Sequence, residues 1–146
     1  GVTQQVKQVE GALGYVELIY ALSNDLGYAE IKNAAGSFVV PSLESVTSAA
    51  AGTKLAPDTD FRVSITNAPG AASYPIASFT WLLVHQDAKD AAKAKVIKDF
   101  LTWMIGPEAQ KMAAELHYAP LPAEVISLVQ TRLQTLKAGG KALAAN

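Results

Sequence analysis

The sequence contains no cysteine and few arginines. Without cysteine, the 146 residues can form no disulfide, carry no thiolate nucleophile and bind no zinc through sulfur, although this is compatible with the cytoplasm and the periplasm alike. Arg62 and Arg132 are the only arginines, and the formal net charge is -1. A basic surface of the kind that neutralises nucleic-acid phosphates is therefore absent, and we expect no nucleic-acid partner.

Long apolar runs are also absent. The most apolar stretch, 76–84, is far shorter than the roughly 20 residues of a membrane span, so we expect no membrane insertion. The first residues do not have the pattern of a signal peptide, and we expect a chain that is already processed if it is exported. A composition of 50% hydrophobic and 17% charged residues is that of a soluble domain with a real core.

Apolar spacing in the first half predicts short helices alternating with short strands. Gly11 and Gly52 are expected to end two of the helices, and Pro41 with Ser42 to open one of them. The predicted helices cover residues 2–10, 18–22 and 43–51, and the predicted strands cover 12–16, 28–32 and 37–40.

Residues 61–85 divide the chain into two parts. An apolar run at 61–65 reads as a strand, a turn follows at 67–70, and a proline-stiffened crossing lies at Tyr74 and Pro75. The apolar and β-branched residues 76–84 then predict a buried strand.

Three helices are predicted after this stretch. The charged turn 87–89 is expected to cap the first, whose buried face would include Val96 and Phe100 and whose solvent face would include Lys98. The second begins at Pro107, and the third ends at Gly139 and Gly140 before a fraying tail. Together with the alternation in the first half, this order predicts an α/β fold with a sheet covered by helices.

Residues suited to metal or acid–base chemistry are few. Asp58 and Asp60 lie in a Pro-Asp-Thr-Asp turn, where aspartate usually accepts hydrogen bonds from its own backbone. His85 and His117 are far apart in sequence and have no third ligand near them, so we predict hydrogen-bonded structural histidines and no metal site.

Nucleophile and anion-binding candidates are equally sparse. Ser64, Ser73 and Ser78 are the serines that an esterase or phosphatase could use, but none lies in a Gly-x-Ser-x-Gly elbow. Arg62 could meet an anion, although an exposed strand arginine is the simpler interpretation. We therefore expect a protein without enzymatic activity and without a cofactor; loss of turnover in Ser78→Ala would favour the enzyme alternative.

Four segments in this order and at similar spacing resemble the phosphate-binding proteins of bacterial phosphate ABC transporters, and the resemblance extends over essentially the whole chain. They are 10–17 (EGALGYVE), followed by Tyr20 and Ala21; 65–67 (ITN); 74–80 (YPIASFT); and 116–122 (LHYAPLP). The chain is similar to the C-terminal part of such a receptor.

The resemblance implies a periplasmic-binding-protein-like (type II) architecture, with two lobes that close around inorganic phosphate and deliver it to a membrane permease. Residues 1–72 would then finish the second lobe, and 77–146 would complete the first with a strand followed by three helices. Ser73, Tyr74, Pro75 and Ile76 would form the crossing, or hinge. The implied location is the periplasm or the cell surface.

The resemblance also implies which residues the chain does not contain. The family's Ser-Gly-Thr segment would lie upstream of Gly1, and no phosphate ligand of the family matches a position in this sequence. We expect a partial polypeptide that needs the N-terminal half of the receptor to complete the site. The alternative is an interaction domain or fragment that has no ligand site of its own.

Overall fold

The computed structural model describes residues 1–143, which form helices joined by short strands and long irregular segments. The helices are α1 (Val2–Gln8), α2 (Leu18–Leu22), α3 (Leu43–Ala51), α4 (Ala91–Met104), α5 (Pro107–Glu115) and α6 (Ala123–Gln134). The strands are β1 (Ile31–Lys32), β2 (Phe38–Val39), β3 (Asp87–Ala88), β4 (Lys137–Ala138) and β5 (Lys141–Ala142).

The predicted helix opening at Ser42 is confirmed. The Ser42 hydroxyl accepts a hydrogen bond from the backbone N–H of Ser45, and the Ser45 hydroxyl accepts one from the N–H of Ser42. This reciprocal capping satisfies two backbone donors that a helix start leaves unpaired. It fixes α3, which carries one side of the first core.

The three predicted C-terminal helices are also confirmed, but the start and the buried face of α4 differ from the prediction. The cap of α4 is Asp90, which accepts a hydrogen bond from Lys93 N, because 87–88 is used in β3. Lys98 is only 3% exposed, while Val96 and Phe100 are largely exposed. The buried ammonium of Lys98 donates to the Gln134 side chain and to the Leu143 carbonyl, so the face toward the C-terminal strands includes a charged residue.

Two small sheets replace the larger sheet expected from the sequence. β1 and β2 pair antiparallel around the predicted turn at 34–36. In the other sheet, β4 lies between β3, which is parallel to it, and β5, which is antiparallel.

Gly139 and Gly140 were expected to end the third helix, and this prediction is wrong. α6 ends at Gln134, and the two glycines form the turn between β4 and β5. Both have positive φ, +56° and +76°, which two-residue hairpin turns favour and which glycine adopts without steric cost. Of the tail expected to fray, Lys141–Ala142 form β5, and the residues from 144 onwards lie outside the described residues.

Three strand predictions are wrong within the described residues. Segment 12–16 is irregular, and Leu13 is 99% exposed. Segment 76–84 belongs to no sheet, and Leu83 is 95% exposed. The run 61–65 is likewise irregular. Apolar and β-branched residues favour extended backbone, but a strand also needs a ladder of backbone hydrogen bonds, and within residues 1–143 none of these segments forms one.

The buried apolar residues form two separate clusters. The first cluster lies between α3 and the segments on either side of the crossing, and contains Ala49, Ala50, Ile65, Ala68 and Ala77. In the second cluster, Ile105, Leu133 and Leu136 join α4 to α6 and the C-terminal strands. The chain thus passes from one packed unit to the other through 77–90.

Candidate functional site

The predicted crossing, Ser73 to Ile76, lies against the first cluster. Ser73 is completely buried, and its hydroxyl donates to the Pro69 carbonyl at 2.9 Å. Pro75 is also buried, whereas Ile76 is exposed at the surface. Ser73 to Pro75 therefore lie within the first packed unit, and Ala77, which follows the predicted crossing, still belongs to the first cluster.

Asn33 fixes the loop that leads into the crossing. Its side-chain Nδ2 group donates to three backbone carbonyls, those of Gly70 at 3.1 Å, Ala71 at 3.0 Å and Ser73 at 3.1 Å. Its Oδ1 atom accepts from the N–H groups of Ala35 and Ser37, both at 3.0 Å. One buried amide therefore joins the β1–β2 turn to loop 70–73, across about forty residues of sequence.

Backbone hydrogen bonds hold the crossing from two further directions. The N–H of Tyr74 donates to the Ser45 carbonyl in α3 at 3.0 Å, and the N–H of Asn67 donates to the Pro75 carbonyl at 2.8 Å. Because an unpaired buried backbone group destabilises the folded state, these bonds resist displacement of residues 73–75.

A cleft of about 500 Å³ lies beside the crossing. All four segments that carry the family resemblance contribute to its lining, through Glu17, Ile65, Tyr74 and the run 117–121. Segments more than 100 residues apart therefore meet at one place, which makes the cleft the candidate functional site of the described residues.

A side-chain hydrogen bond joins segments 10–17 and 116–122 across the cleft. The hydroxyl of Tyr118 donates to a carboxylate oxygen of Glu17 at 3.1 Å. This bond to the negative carboxylate raises the pKa of Tyr118 above its ordinary value. The pKa of Tyr74 is raised as well, mainly by partial burial and to a smaller extent by Tyr15. We refer to the Glu17–Tyr118 pair as the clasp.

A second hydrogen bond reaches the segment that contains Tyr118. The hydroxyl of Thr47 in α3 donates to the Pro120 carbonyl at 3.0 Å. Together these bonds connect the first unit to segment 116–122, which follows α5 in the second unit. The segments could be recognised from the sequence but the pairs could not, because no local pattern links Glu17 to Tyr118 or Thr47 to Pro120.

A second concave surface, which we call the apolar groove, has a volume of about 860 Å³. Its walls are the irregular segments 60–64 and 78–84, and its floor is formed by apolar residues of α4 and α6, such as Leu101, Met104 and Val129. The groove is separate from the four resemblance segments except at residues 78–80 and 121, which border both surfaces.

The predicted turn at Asp58 and Asp60 is confirmed for Asp60. An Asp60 carboxylate oxygen accepts from the backbone N–H of Arg62 at 3.1 Å, and the guanidinium of Arg62 lies 2.6 Å from the other oxygen. The hydrogen bond from Arg62 lowers the pKa of Asp60. Arg62 is exposed as predicted, but its charge is already paired with this carboxylate, which leaves it poorly placed to bind an anion.

The candidate serines and histidines are not brought together. The Ser78 hydroxyl donates to the Phe79 carbonyl, and the Ser64 hydroxyl accepts from the N–H of Thr66. His85 and His117 are both exposed, and within residues 1–143 neither imidazole has a hydrogen-bond partner, so the prediction of hydrogen-bonded histidines is wrong.

Within the described part of the chain, no group of three His, Cys, Asp or Glu side chains is placed to hold a metal ion. None of the helices between residues 1 and 143 has the length and apolar character needed to cross a membrane.

Sequence reasoning missed Asn33 and the clasp. The only local signal for Asn33 was its position at the end of a predicted strand, directly before the turn at 34–36, where Asn side chains often bond to nearby backbone. For the clasp, the signal was the joint presence of segments 10–17 and 116–122.

Comparison with known proteins supplies the family. Residues 1–108 match a family model described as a PBP superfamily domain. A phosphate-binding protein PstS of Xylella fastidiosa is 42% identical over 130 residues, and those of Pasteurella multocida and Methanocaldococcus jannaschii are 36% and 34% identical. The matches cover 89%, 92% and 94% of this chain.

The chain spans only 35% to 39% of the length of these relatives. The family model, in contrast, matches well over half of the chain, and the mixture of helices and strands agrees with it. The chain therefore belongs to the PBP superfamily and has the α/β, periplasmic-binding-protein-like (type II) fold that the sequence predicted.

Proposed function

We propose that this chain is the C-terminal part of a periplasmic receptor that captures inorganic phosphate and delivers it to the permease of an ABC transporter. The observation that carries the proposal is the identity of 34% to 42% with proteins named phosphate-binding protein PstS, over about nine tenths of the chain. The clustering of the four resemblance segments around one cleft supports it. In this role the chain binds and hands over its ligand and performs no catalysis.

The main phosphate ligands are proposed to lie in the N-terminal half of the receptor. Two observations on the described residues support this division. The guanidinium of Arg62 is engaged by Asp60, and the hydroxyls of Ser73 and Ser78 are engaged by backbone carbonyls. A site for dehydrated phosphate needs several converging donors, and these groups are neither free nor convergent.

The proposed lobes correspond to the two apolar clusters except at Ala77, which the first cluster includes. Residues 1–72 finish the second lobe, residues 73–76 cross between lobes, and the segment from 77 onwards completes the first lobe. Ser73 to Pro75 are held by Asn33, Ser45 and Asn67, so we propose that they act as the fixed end of the hinge. Bending would then occur beyond Ala77, the last buried residue of the first cluster along the chain.

Isothermal titration calorimetry tests the division of the phosphate site. The chain alone is expected to give no tight one-to-one binding of phosphate, because the main ligands are elsewhere. A mixture with the N-terminal part of the Xylella fastidiosa relative, taken up to the start of the match, is expected to bind phosphate, and sulfate serves as the control anion. Tight binding by the chain alone would contradict the proposed division.

The hinge is tested in the same mixture with fluorescent labels at Ala35 and Lys111, which are exposed positions in the two units. If the units belong to different lobes, phosphate should change the energy transfer between the labels. Energy transfer that stays constant while phosphate binds would contradict the assignment of Ser73 to Ile76 as a crossing between lobes.

A further inference from the structure

The two packed units are joined by hydrogen bonds as well as by the chain itself. Within residues 1–143, three hydrogen bonds that involve side chains link residues 1–72 to the region beyond 116. They are the clasp between Glu17 and Tyr118, the bond from the Thr47 hydroxyl to the Pro120 carbonyl, and a bond from the Arg132 guanidinium to the Asp58 carbonyl at 3.2 Å. A hinge motion between the units must lengthen those bonds that lie far from the hinge.

The bond made by Thr47 lies close to the crossing. Thr47 is two positions after Ser45, whose carbonyl accepts the N–H of Tyr74 at 3.0 Å. Thr47, Tyr74 and Pro120 also line the same cleft. Because this bond lies beside the proposed fixed end of the hinge, bending displaces its two ends only slightly.

The clasp, in contrast, bridges the walls of the cleft at the surface of the molecule. Glu17 and Tyr118 are both exposed, and both line the cleft. Of the three bonds, only the clasp joins two side chains, and its acceptor is a carboxylate, which makes a stronger hydrogen bond than a neutral group does. The same bond raises the pKa of Tyr118, so the hydroxyl stays protonated and able to donate at neutral pH.

We propose that the clasp is a latch between the two lobes, formed when they close on phosphate and broken when they open. Glu17 and Tyr118 are then positioning residues, which raise the affinity for phosphate without touching it. This inference rests on the proposed function, since it places Glu17 in the second lobe and Tyr118 in the first.

The direction of the effect follows from the location of the two residues. The lobes of such a receptor close around the ligand, which narrows the space between their facing walls. A bond that spans this space is made in the closed form and lost in the open form, so its free energy favours closing. When the closed form is less populated, the apparent affinity for the ligand falls in proportion.

The first experiment tests whether the clasp holds the two units together in the chain itself. The sequence has no cysteine, so Leu13→Cys and Lys111→Cys, at exposed positions, can carry a specific pair of fluorescent labels. Leu13 lies in the segment that contains Glu17, and Lys111 lies in α5, which leads to Tyr118. Tyr118→Phe should lower the energy transfer between the labels. Tyr28→Phe, the control, removes an exposed hydroxyl that has no hydrogen bond within residues 1–143 and should leave the transfer unchanged.

The second experiment measures phosphate affinity in the mixture with the N-terminal part of the Xylella fastidiosa relative. Tyr118→Phe should raise the Kd about three- to tenfold, as expected for the loss of one exposed hydrogen bond to a carboxylate that only the closed form makes. In a Glu17→Ala background the hydroxyl has lost its acceptor, so the same replacement should have no further effect. Arg132→Gln breaks a bond that lies outside the cleft and should leave the Kd unchanged.

Unchanged energy transfer in Tyr118→Phe would overturn the inference. So would a Kd that Tyr118→Phe leaves unchanged, or that Arg132→Gln raises equally, while the mixture binds phosphate; either of these results would leave the proposed function standing. A mixture that binds no phosphate would refute the proposed function instead. The energy transfer in the lone chain would still decide whether the clasp ties the two units together.

Discussion

Replacement of Asn33 tests how firmly the crossing is fixed. The Asn33 amide shares its two Nδ2 hydrogens among three carbonyls and accepts from two backbone N–H groups. Asn33→Ala removes all of these hydrogen bonds at once, and an alanine side chain offers no replacement. Loop 70–73 would then be tied to the β1–β2 turn by packing alone.

The size of the effect follows from burial. The bond to the Ser73 carbonyl is fully buried, and its loss is expected to cost about 1–3 kcal/mol. The other bonds are only partly buried, and water can form hydrogen bonds in their place. The loss of each is therefore expected to cost about 0.5 kcal/mol of stability. Asn33→Ala should therefore lower the free energy of unfolding by about 3–5 kcal/mol, a large part of the stability of a typical domain.

Urea denaturation measures this loss, with Asn24→Ala as the matched control. Asn24 makes one exposed hydrogen bond from its Nδ2 group to the Tyr20 carbonyl, so its replacement should change the free energy of unfolding by less than about 0.5 kcal/mol. Hydrogen exchange of residues 70–74 should accelerate in Asn33→Ala and remain unchanged in Asn24→Ala.

In a second variant, Asn33→Asp, the free energy of unfolding should depend on pH. The introduced carboxylate would face three carbonyl oxygens, which disfavours its charged form and raises its pKa in the folded state. Stability would then be greatest below the unfolded pKa of about 3.9 and would fall as the pH rises through the folded value. A loss below about 1 kcal/mol in Asn33→Ala, or equal losses in the two alanine variants, would refute the role assigned to Asn33.

Glu17→Gln should lower the pKa of Tyr118 towards the ordinary value of about 10, because the negative acceptor that raises it is removed. Ultraviolet titration of the phenolate checks this, Tyr118→Phe identifies the transition, and an unchanged pKa would contradict the clasp. Gly52→Ala should destabilise the chain by about 1–3 kcal/mol in urea denaturation, because its methyl group would collide with the Pro69 carbonyl. Gly27→Ala, which meets no atom within 4 Å, should change stability by less than about 1 kcal/mol, and equal effects would disprove the contact.

Much of the helical structure could be predicted from the sequence. Ser42 and Gly52 mark the two ends of α3, and Gly106 with Pro107 separates α4 from α5. These predictions succeed because helix hydrogen bonds and caps join residues only three or four positions apart. The hairpin turn at Gly139 and Gly140 was mistaken for a helix end, since glycine serves both purposes.

The strand predictions were less accurate than the helix predictions, for a different physical reason. The predicted strands 28–32 and 37–40 pair across a short turn. The paired parts, β1 and β2, are shorter than predicted. Residues 12–16 and 76–84 have similar composition but belong to no sheet among the described residues. Composition favours an extended backbone, while the existence of a strand depends on a partner that no local pattern reveals.

The candidate site divides in the same way. The four segments around the cleft were recognisable in the sequence, and with them the PBP superfamily. That these segments lie together in the fold could not be recognised from the sequence. The clasp joins residues 101 positions apart, and Asn33 reaches loop 70–73 across 37 to 40 positions. Side-chain hydrogen bonds at such separations depend on how the whole chain packs.

The sequence by itself determined the helices, the turn at Asp60, the family and the lack of a basic surface, because each depends on neighbouring residues or on composition. Only the tertiary structure decided that Lys98 is buried, that Leu83 is exposed and that Ser73 is fixed by Asn33. Burial is a property of the space around a residue, and that space is filled by segments distant in the chain.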